Sequence, residues 1–275
     1  MNPNRLRGGA LAWLLTLQFF VVEAIAQARY QGPYSRADDT ISALGATSSA
    51  AHRLMNASFL VQGLLILAGA LLLRPALRGR GATVAPVLLA ISGVGVMLVG
   101  VFPEDGYSTA HAVGAGLHLV GGGLGLMALA YAVRARSEVV GTGLALLGLV
   151  GTAMTVFFVA GVTGFLGNGG TERAAAYVLP IGLALAGAFL WRVGADEATT
   201  DGDMSVAASR RQERLREREL ARLEKAERAR ARDEALEAAA RRAEARIDVP
   251  DNSTCDDSTD DEAGDPWASF GRRRD

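Results

Sequence analysis

Apolar positions come in long blocks with no polar face. Six such blocks run Ala10–Ala28, Leu54–Leu73, Thr83–Val101, Ala110–Val133, Val139–Phe165 and Ala174–Val193. A helix needs roughly 20 residues, at about 1.5 Å each, to cross the hydrocarbon core of a bilayer. The blocks reach or approach that length, and Gly, Pro and charged residues break them where helices end. One helix of a large soluble protein can be this apolar. Six in succession predict an all-α, six-helix transmembrane bundle over residues 1–195.

The pattern then reverses. Residues 196–208 are a polar linker. From Ser209 to Arg246 there is no Gly or Pro, and Ala, Arg, Glu and Leu predict a charged cytoplasmic helix over 209–247. Glu224 with Arg228, Arg230 with Glu234, and Glu237 with Arg241 are opposite charges four residues apart. Leu215, Ala226, Ala229, Leu236, Ala240, Ala243 and Ile247 follow a 3–4 seam that Glu219, Arg222 and Asp233 interrupt. A solvated helix and a weak coiled coil are both open, and the helix could engage a cytoplasmic protein partner. Residues 248–275 form an acidic tail, too polar to build a core and expected to be disordered, that ends in PWASFGRRRD.

The chain is half hydrophobic yet 21% charged, which one globular domain would not usually combine; two unlike parts explain it. The net charge of −1 averages over both and points to no partner. Nucleic acid is not expected, because acids match the basic helix and no reader motif is present. The lone cysteine, Cys255, lies in the tail, so no disulfide framework is expected. Arg5, Arg7, Arg74, Arg78, Arg80, Arg134, Arg136 and Arg192 flank one side of the blocks; Arg29, Arg36, Arg53 and Arg173 flank the other. The positive-inside rule then predicts a multi-pass protein of the cytoplasmic membrane with both termini cytoplasmic. Ala24-Ile25-Ala26 also resembles a signal-peptide cleavage site, but the preceding run is long and Glu23 interrupts its end.

Polar side chains within or beside the blocks are costly in lipid, about 2.5–3.5 kcal/mol for a charge near the bilayer centre, so their placement is informative. Nearly all fall in the outer half of the predicted bundle. They are Glu23 on the first span, Asp39 and Ser42 in the first loop, His52 and Asn56 on the second span, and Glu104 after the third. His111 and His118 on the fourth, and Glu172, Arg173 and Tyr177 entering the sixth, complete the set. His111 and His118 are seven apart, so they share a helix face about 10 Å apart. Glu23 must face the bundle or water, with Arg29 or Arg173 as a possible ion-pair partner. Glycines such as Gly121 and Gly125, Gly143 and Gly151, and Gly182 with Ala186 suit close helix packing.

Three landmarks carry a family resemblance: DDTISALGAT in the first loop, VGVFPEDG leaving the third span ahead of His111, and GTERAAAYVLP entering the last. In this order on six spans they resemble the prokaryotic membrane-protein family known as domain of unknown function 998. Its patterns are close to I-S-D-L-G, G-x-F-P before a histidine, and G-x-x-E/Q-R with a following tyrosine. The first-loop motif is also similar to one in eukaryotic DRAM-type membrane proteins. The resemblance covers about residues 10–193 and implies Ile41, Ser42, Leu44, Gly45, Phe102, Pro103, His111, Glu172, Arg173 and Tyr177 as family positions. Ala43 stands where the pattern has an acid. The resemblance implies architecture and the location of a site, and names no reaction.

The chemistry therefore rests on residue types. Zinc would need three ligands, for which His52, His111, His118 and Asp38 or Asp39 are candidates, but the seven-residue spacing is not that of compact helical zinc sites. No metal and no cofactor is expected. Haem, nucleotide and Gly-x-Ser-x-Gly signatures find no proper context, and a proton-coupled transporter would want acids deeper in the bilayer. The expectation is a polar pocket in the outer half that binds a membrane lipid or another lipid-like, amphipathic ligand, with Arg173 and the histidines toward its polar end. The alternatives are a membrane-embedded hydrolase or transferase using His111, His118 and an acid, and a scaffold acting through the charged helix.

Overall fold

A computed structural model describes residues 2–247 and all of their side chains except those of 197–207 and 244–247. Cys255, the acidic tail and the PWASFGRRRD ending lie outside the described residues. The chain divides into two units after Ser205.

The first unit is the predicted bundle. Its helices are α1 (Pro3–Leu15), α2 (Gln18–Ala28), α3 (His52–Leu73), α4 (Gly81–Val101), α5 (Ser108–Val133), α6 (Glu138–Val159), α7 (Asn168–Ala176) and the start of α8 (Val178–Ile247), with no strand among the described residues. Six stretches are long and apolar enough to cross a membrane: Pro3–Ala28, His52–Ala76, Gly81–Val101, Ser108–Val133, Glu138–Val159 and Asn168–Asp196. The chain is a multi-pass membrane protein. Six alternating spans put the segments 29–51, 102–107 and 160–167 at one end, the loop face.

Two spans are broken, the first and the sixth. At the first break, Thr16 Oγ1 lies 2.5 Å from the Trp13 carbonyl and 3.3 Å from that of Pro180. Backbone bonds tighten there to three-residue steps, Thr16 to Trp13 and Leu17 to Leu14. Threonine bonded back onto its own helix bends it. At the second break, the ring of Pro180 opposes the carbonyl of Ala176 and removes a donor, so the helix interrupts at Tyr177. The fifth span ends at Val159, before the predicted Phe165. Gly161 (φ +69°) follows with its N–H on Phe158 O, and Val162 N–H reaches Phe157 O at 2.9 Å. That pair of bonds is a Schellman stop, which the left-handed glycine makes possible.

Lipid gives helices no hydrophobic reason to associate, so close atomic packing holds them. Glycine lets α4 lie close against α5. A Cβ added at Gly95 would lie 2.5 Å from His118 N, and one at Gly114 would lie 2.9 Å from Gly95 O. Gly121 and Gly125 also abut α4, whereas Gly143 has only Leu185 nearby, at 3.7 Å. Trp13 anchors α1 on α3, fully buried with its indole N–H on Ile66 O.

In the second unit the backbone is helical to Ile247, and α8 also runs through 196–208. Side chains from 208 to 243 are exposed, Leu215, Leu220, Leu223 and Leu236 included. Arg228 with Glu224 (3.7 Å) and Arg241 with Glu237 (3.3 Å) form four-residue pairs on its surface.

Candidate functional site

The segment 29–51 folds down onto the bundle. Its short 3-10 helix, Ser42–Gly45, carries Leu44 into the core, and Ile41, Ser42, Gly45 and Ala46 are buried with it. Backbone at this depth must find partners inside the protein. Asn56 Nδ2 donates to Gly45 O at 3.0 Å, Tyr34 OH donates to Thr40 O at 2.9 Å, and Thr47 Oγ1 donates to Asp105 at 2.5 Å. The start of α7 holds the other flank. Gly167 (φ +77°) brings the chain so close that a Cβ there would sit 2.2 Å from Ala37 O, and Gly170 N–H donates to that same carbonyl at 2.9 Å.

Two clusters of polar side chains result. In the first, Arg173 Nε donates to Glu23 Oε1 at 2.9 Å, with both side chains buried. Arg173 Nη1 donates to the carbonyls of Arg36 (2.8 Å) and Asp39 (2.7 Å), and Nη2 donates to Tyr34 OH. These bonds use four of the five N–H groups of a guanidinium. Glu23 also accepts from Gln27 Nε2 (2.7 Å) and Tyr177 OH (2.6 Å). Arg36 closes the outer edge through Gln27 Oε1 and Tyr177 OH. Burial pushes the Tyr34 phenol up to about 12 against the pull of Arg173, so it stays protonated and keeps its bond to Thr40.

In the second cluster no cation touches the acid. Glu172 Oε2 accepts from the Ile41 N–H, and Oε1 lies 3.1 Å from Ser42 Oγ. Ser42 Oγ is 2.9 Å from His111 Nε2, and His111 Nδ1 is 2.8 Å from Phe102 O. Glu104 stands on the adjacent turn, close enough for its charge to be felt at His111. Burial raises its carboxyl above the usual range; the His111 charge opposes that and the Asp105 charge adds to it.

Beneath these clusters a slot runs between the helices. It has about 510 Å³ of space between atoms with its mouth included, of which about 40 Å³ admits the centre of a water molecule. Phe19, Phe59, Val96 and Leu119 make its apolar wall, and Ser42, Gln62, His118 and Glu172 its polar one. His118 Nδ1 lies 3.0 Å from Ser92 Oγ, and Gln62 Oε1 accepts from Gln18. The other ends, His118 Nε2 and Gln62 Nε2, have no partner among the described residues.

The expected residues thus separate. Glu23, Arg173 and Tyr177 meet in one cluster, with Asp39 contributing its backbone carbonyl. Ser42, His111 and Glu172 meet in the other, with Glu104 beside them. His118 lines the slot together with Ser42 and Glu172 of the second cluster. His52 and Asn56 serve the folded segment instead: His52 Nδ1 contacts Ser49 O at 2.8 Å, and Asn56 holds Gly45. The three histidines do not converge, and among the described residues no group of three or more His, Cys, Asp or Glu is placed to hold a metal. Tyr34 was not among the expected residues; it lies in an aperiodic loop, where nothing in the pattern marks it. Gln62 was also outside that set, although a glutamine within an apolar span is a readable signal.

The described geometry falls on the three sequence landmarks, and a family model agrees. The model described as "Protein of unknown function (DUF998)" matches residues 14–192. The chain belongs to the DUF998 family. No curated protein and no solved structure matches it. DUF998 membership covers both clusters and the slot, so they lie inside the family's own domain; the second unit lies outside it.

Proposed function

We propose that the protein binds an amphipathic, lipid-like molecule in the slot, from the outer half of the cytoplasmic membrane, with both termini cytoplasmic. The observation that carries this is the pair of unpartnered donors or acceptors, His118 Nε2 and Gln62 Nε2, opposite an aromatic and aliphatic wall. Neither nitrogen is sealed off from the open slot, so an occupant with hydrogen-bonding capacity of its own can satisfy both. The space limits that occupant. A water needs about 10–15 Å³ measured this way, so the slot takes a polar group of roughly three waters' size. Arg173 is spent on protein partners. A hydroxyl, amide or carboxyl on an apolar body fits; a bulky phosphate headgroup does not.

Native mass spectrometry of the detergent-extracted full chain tests the reading. The expected result is a co-purified amphipathic molecule that is lost when Leu119→Trp fills the slot of a protein that still elutes as a folded species. Equal retention by both proteins would sink it.

A hydrolase or transferase is the second reading, favoured by the 2.9 Å contact of Ser42 Oγ with His111 Nε2. In a hydrolytic triad the acid supports the far nitrogen of the imidazole. Here a backbone carbonyl takes that place and Glu172 bonds the serine itself. Covalent labelling of Ser42 by a fluorophosphonate would favour this reading over simple binding.

A further inference from the structure

The hydrogen bonds around Ser42 need one more proton than a carboxylate, a hydroxyl and a neutral imidazole supply. The count starts at Phe102, whose carbonyl can only accept, so His111 Nδ1 carries a hydrogen. A neutral imidazole then has a bare Nε2, and that nitrogen lies 2.9 Å from Ser42 Oγ. On the other side Glu172 Oε1 lies 3.1 Å from the same Oγ. Glu172 Oε2 is occupied by the Ile41 N–H. Two hydrogen bonds converge on one hydroxyl, which has one hydrogen to give, and Ser42 Oγ has no other partner among the described residues. The second hydrogen must sit on Glu172 Oε1 or on His111 Nε2.

We propose that Glu172, Ser42 and His111 form a proton-binding site that holds one proton, passed between the carboxyl and the imidazole through the Ser42 hydroxyl. In one direction the His111 Nε2–H bond breaks as its proton joins Ser42 Oγ, while the original Ser42 proton moves to Glu172 Oε1. The hydroxyl is regenerated, and an ion pair becomes a neutral acid beside a neutral imidazole. Both arrangements carry no net charge, which is what low-dielectric surroundings favour. With the proton gone, an anion remains and one of the two contacts sets lone pair against lone pair.

The surrounding charges fit such a site. From α7, Arg173 is the nearest cation, but its side chain is bonded to Glu23 of α2 and to Tyr34 of the folded segment. From the turn between α4 and α5, Glu104 stands beside His111. From α5, His118 lines the slot with Glu172 and Ser42. The site therefore opens on the slot through Glu172 and Ser42, while Glu104 acts on His111 through its charge alone. This inference does not rest on the slot holding a ligand.

Solid-state NMR on the full chain in lipid bilayers at neutral pH, with ¹⁵N-histidine and ¹³C-glutamate labels, tests it. Glu172→Gln removes the carboxyl signal and shifts that of His111, and Ser42→Ala shifts both, so assignment survives if one variant fails to fold. The expected result is one of two signatures. Either Glu172 is a neutral carboxyl with His111 protonated on Nδ1 alone, or Glu172 is ionised with His111 protonated on both nitrogens. On raising the pH the two signals should move together in a single step. An ionised Glu172 beside a singly protonated His111 at neutral pH overturns the proposal, as does a neutral carboxyl beside a doubly protonated ring.

Discussion

Glu23 and Glu172 are both buried glutamates, 1% and 8% exposed, at the same end of the same bundle. Their surroundings answer the cost of burial in opposite ways. Glu23 has a guanidinium at 2.9 Å, an amide and a phenol, all donors, so its charge is fixed by a partner. Glu172 has a backbone N–H and a hydroxyl shared with His111, and its charge is balanced by a proton instead. The first arrangement locks a structure. The second leaves a degree of freedom, and it borders the slot.

The contrast should appear first in stability. Arg173→Ala strands the Glu23 charge and frees the carbonyls of Arg36 and Asp39. Removing one partner of a buried pair costs about 3–5 kcal/mol, so the expected outcome is failure to fold or a large drop in thermal unfolding midpoint in detergent. Glu23→Gln strands the arginine instead and should fall in the same range. Arg173→Lys keeps the charge but cannot span the same four acceptors, and should recover only part of the loss.

Hydropathy made the six spans legible because lipid imposes a rule on every residue at once: no free backbone and few charges. That rule says nothing about local interruptions. The break at Thr16 depends on a hydroxyl turning back to Trp13 and toward Pro180, a residue 164 positions away. The stop at Val159 depends on Gly161 entering the left-handed region, and the apolar run continues past it to Phe165. The site was legible by depth and type. Arg173 was one of two arginines available to Glu23, and Ser42, His111 and Glu172 were each candidates. Their union was not readable, because it requires the segment 29–51 to fold inward, a movement with no periodicity to betray it. His52 and Asn56, which residue type and depth also pick out, contact the segment that makes the candidate site, through Ser49 O and Gly45 O.

Two smaller changes sharpen the comparison. Ser42→Ala removes the bridge of the second cluster and leaves the facing ends of His111 and Glu172 without it. The expected loss is about 1–3 kcal/mol, the range for buried groups deprived of a hydrogen-bond partner. Glu172→Gln keeps an acceptor for the Ile41 N–H and offers Ser42 an amide donor, so it should cost only about 1 kcal/mol, measured as a small fall in unfolding midpoint. The ordering is the test. If Glu172→Gln destabilises as much as Glu23→Gln, Glu172 is ionised and partnered like Glu23, and the contrast between the two clusters fails.

The smallest effect belongs to the turn beside the site, where neighbouring carboxyls again diverge. Burial raises Glu104, while the Thr47 hydroxyl, followed by the Thr47 N–H, lowers Asp105. A carboxyl lowered in the folded state adds stability above its unfolded pKa, near 3.9 for aspartate, and loses it as pH falls through the lower folded value. A raised carboxyl does the opposite, giving up its contribution as pH rises through the folded value. Thr47→Val deletes the main cause of the Asp105 shift and leaves burial, the main cause of the Glu104 shift, in place. Asp105 should therefore titrate closer to an ordinary aspartate, and the acid-side loss of stability should become shallower, while Glu104 keeps its raised value. A ¹³C carboxyl titration of both residues reads the difference directly. If Glu104 falls back to the usual carboxylate range as well, its burial is gone and the turn has shifted as a whole, and His111 beside it can no longer be treated as held by Phe102 and Ser42 alone.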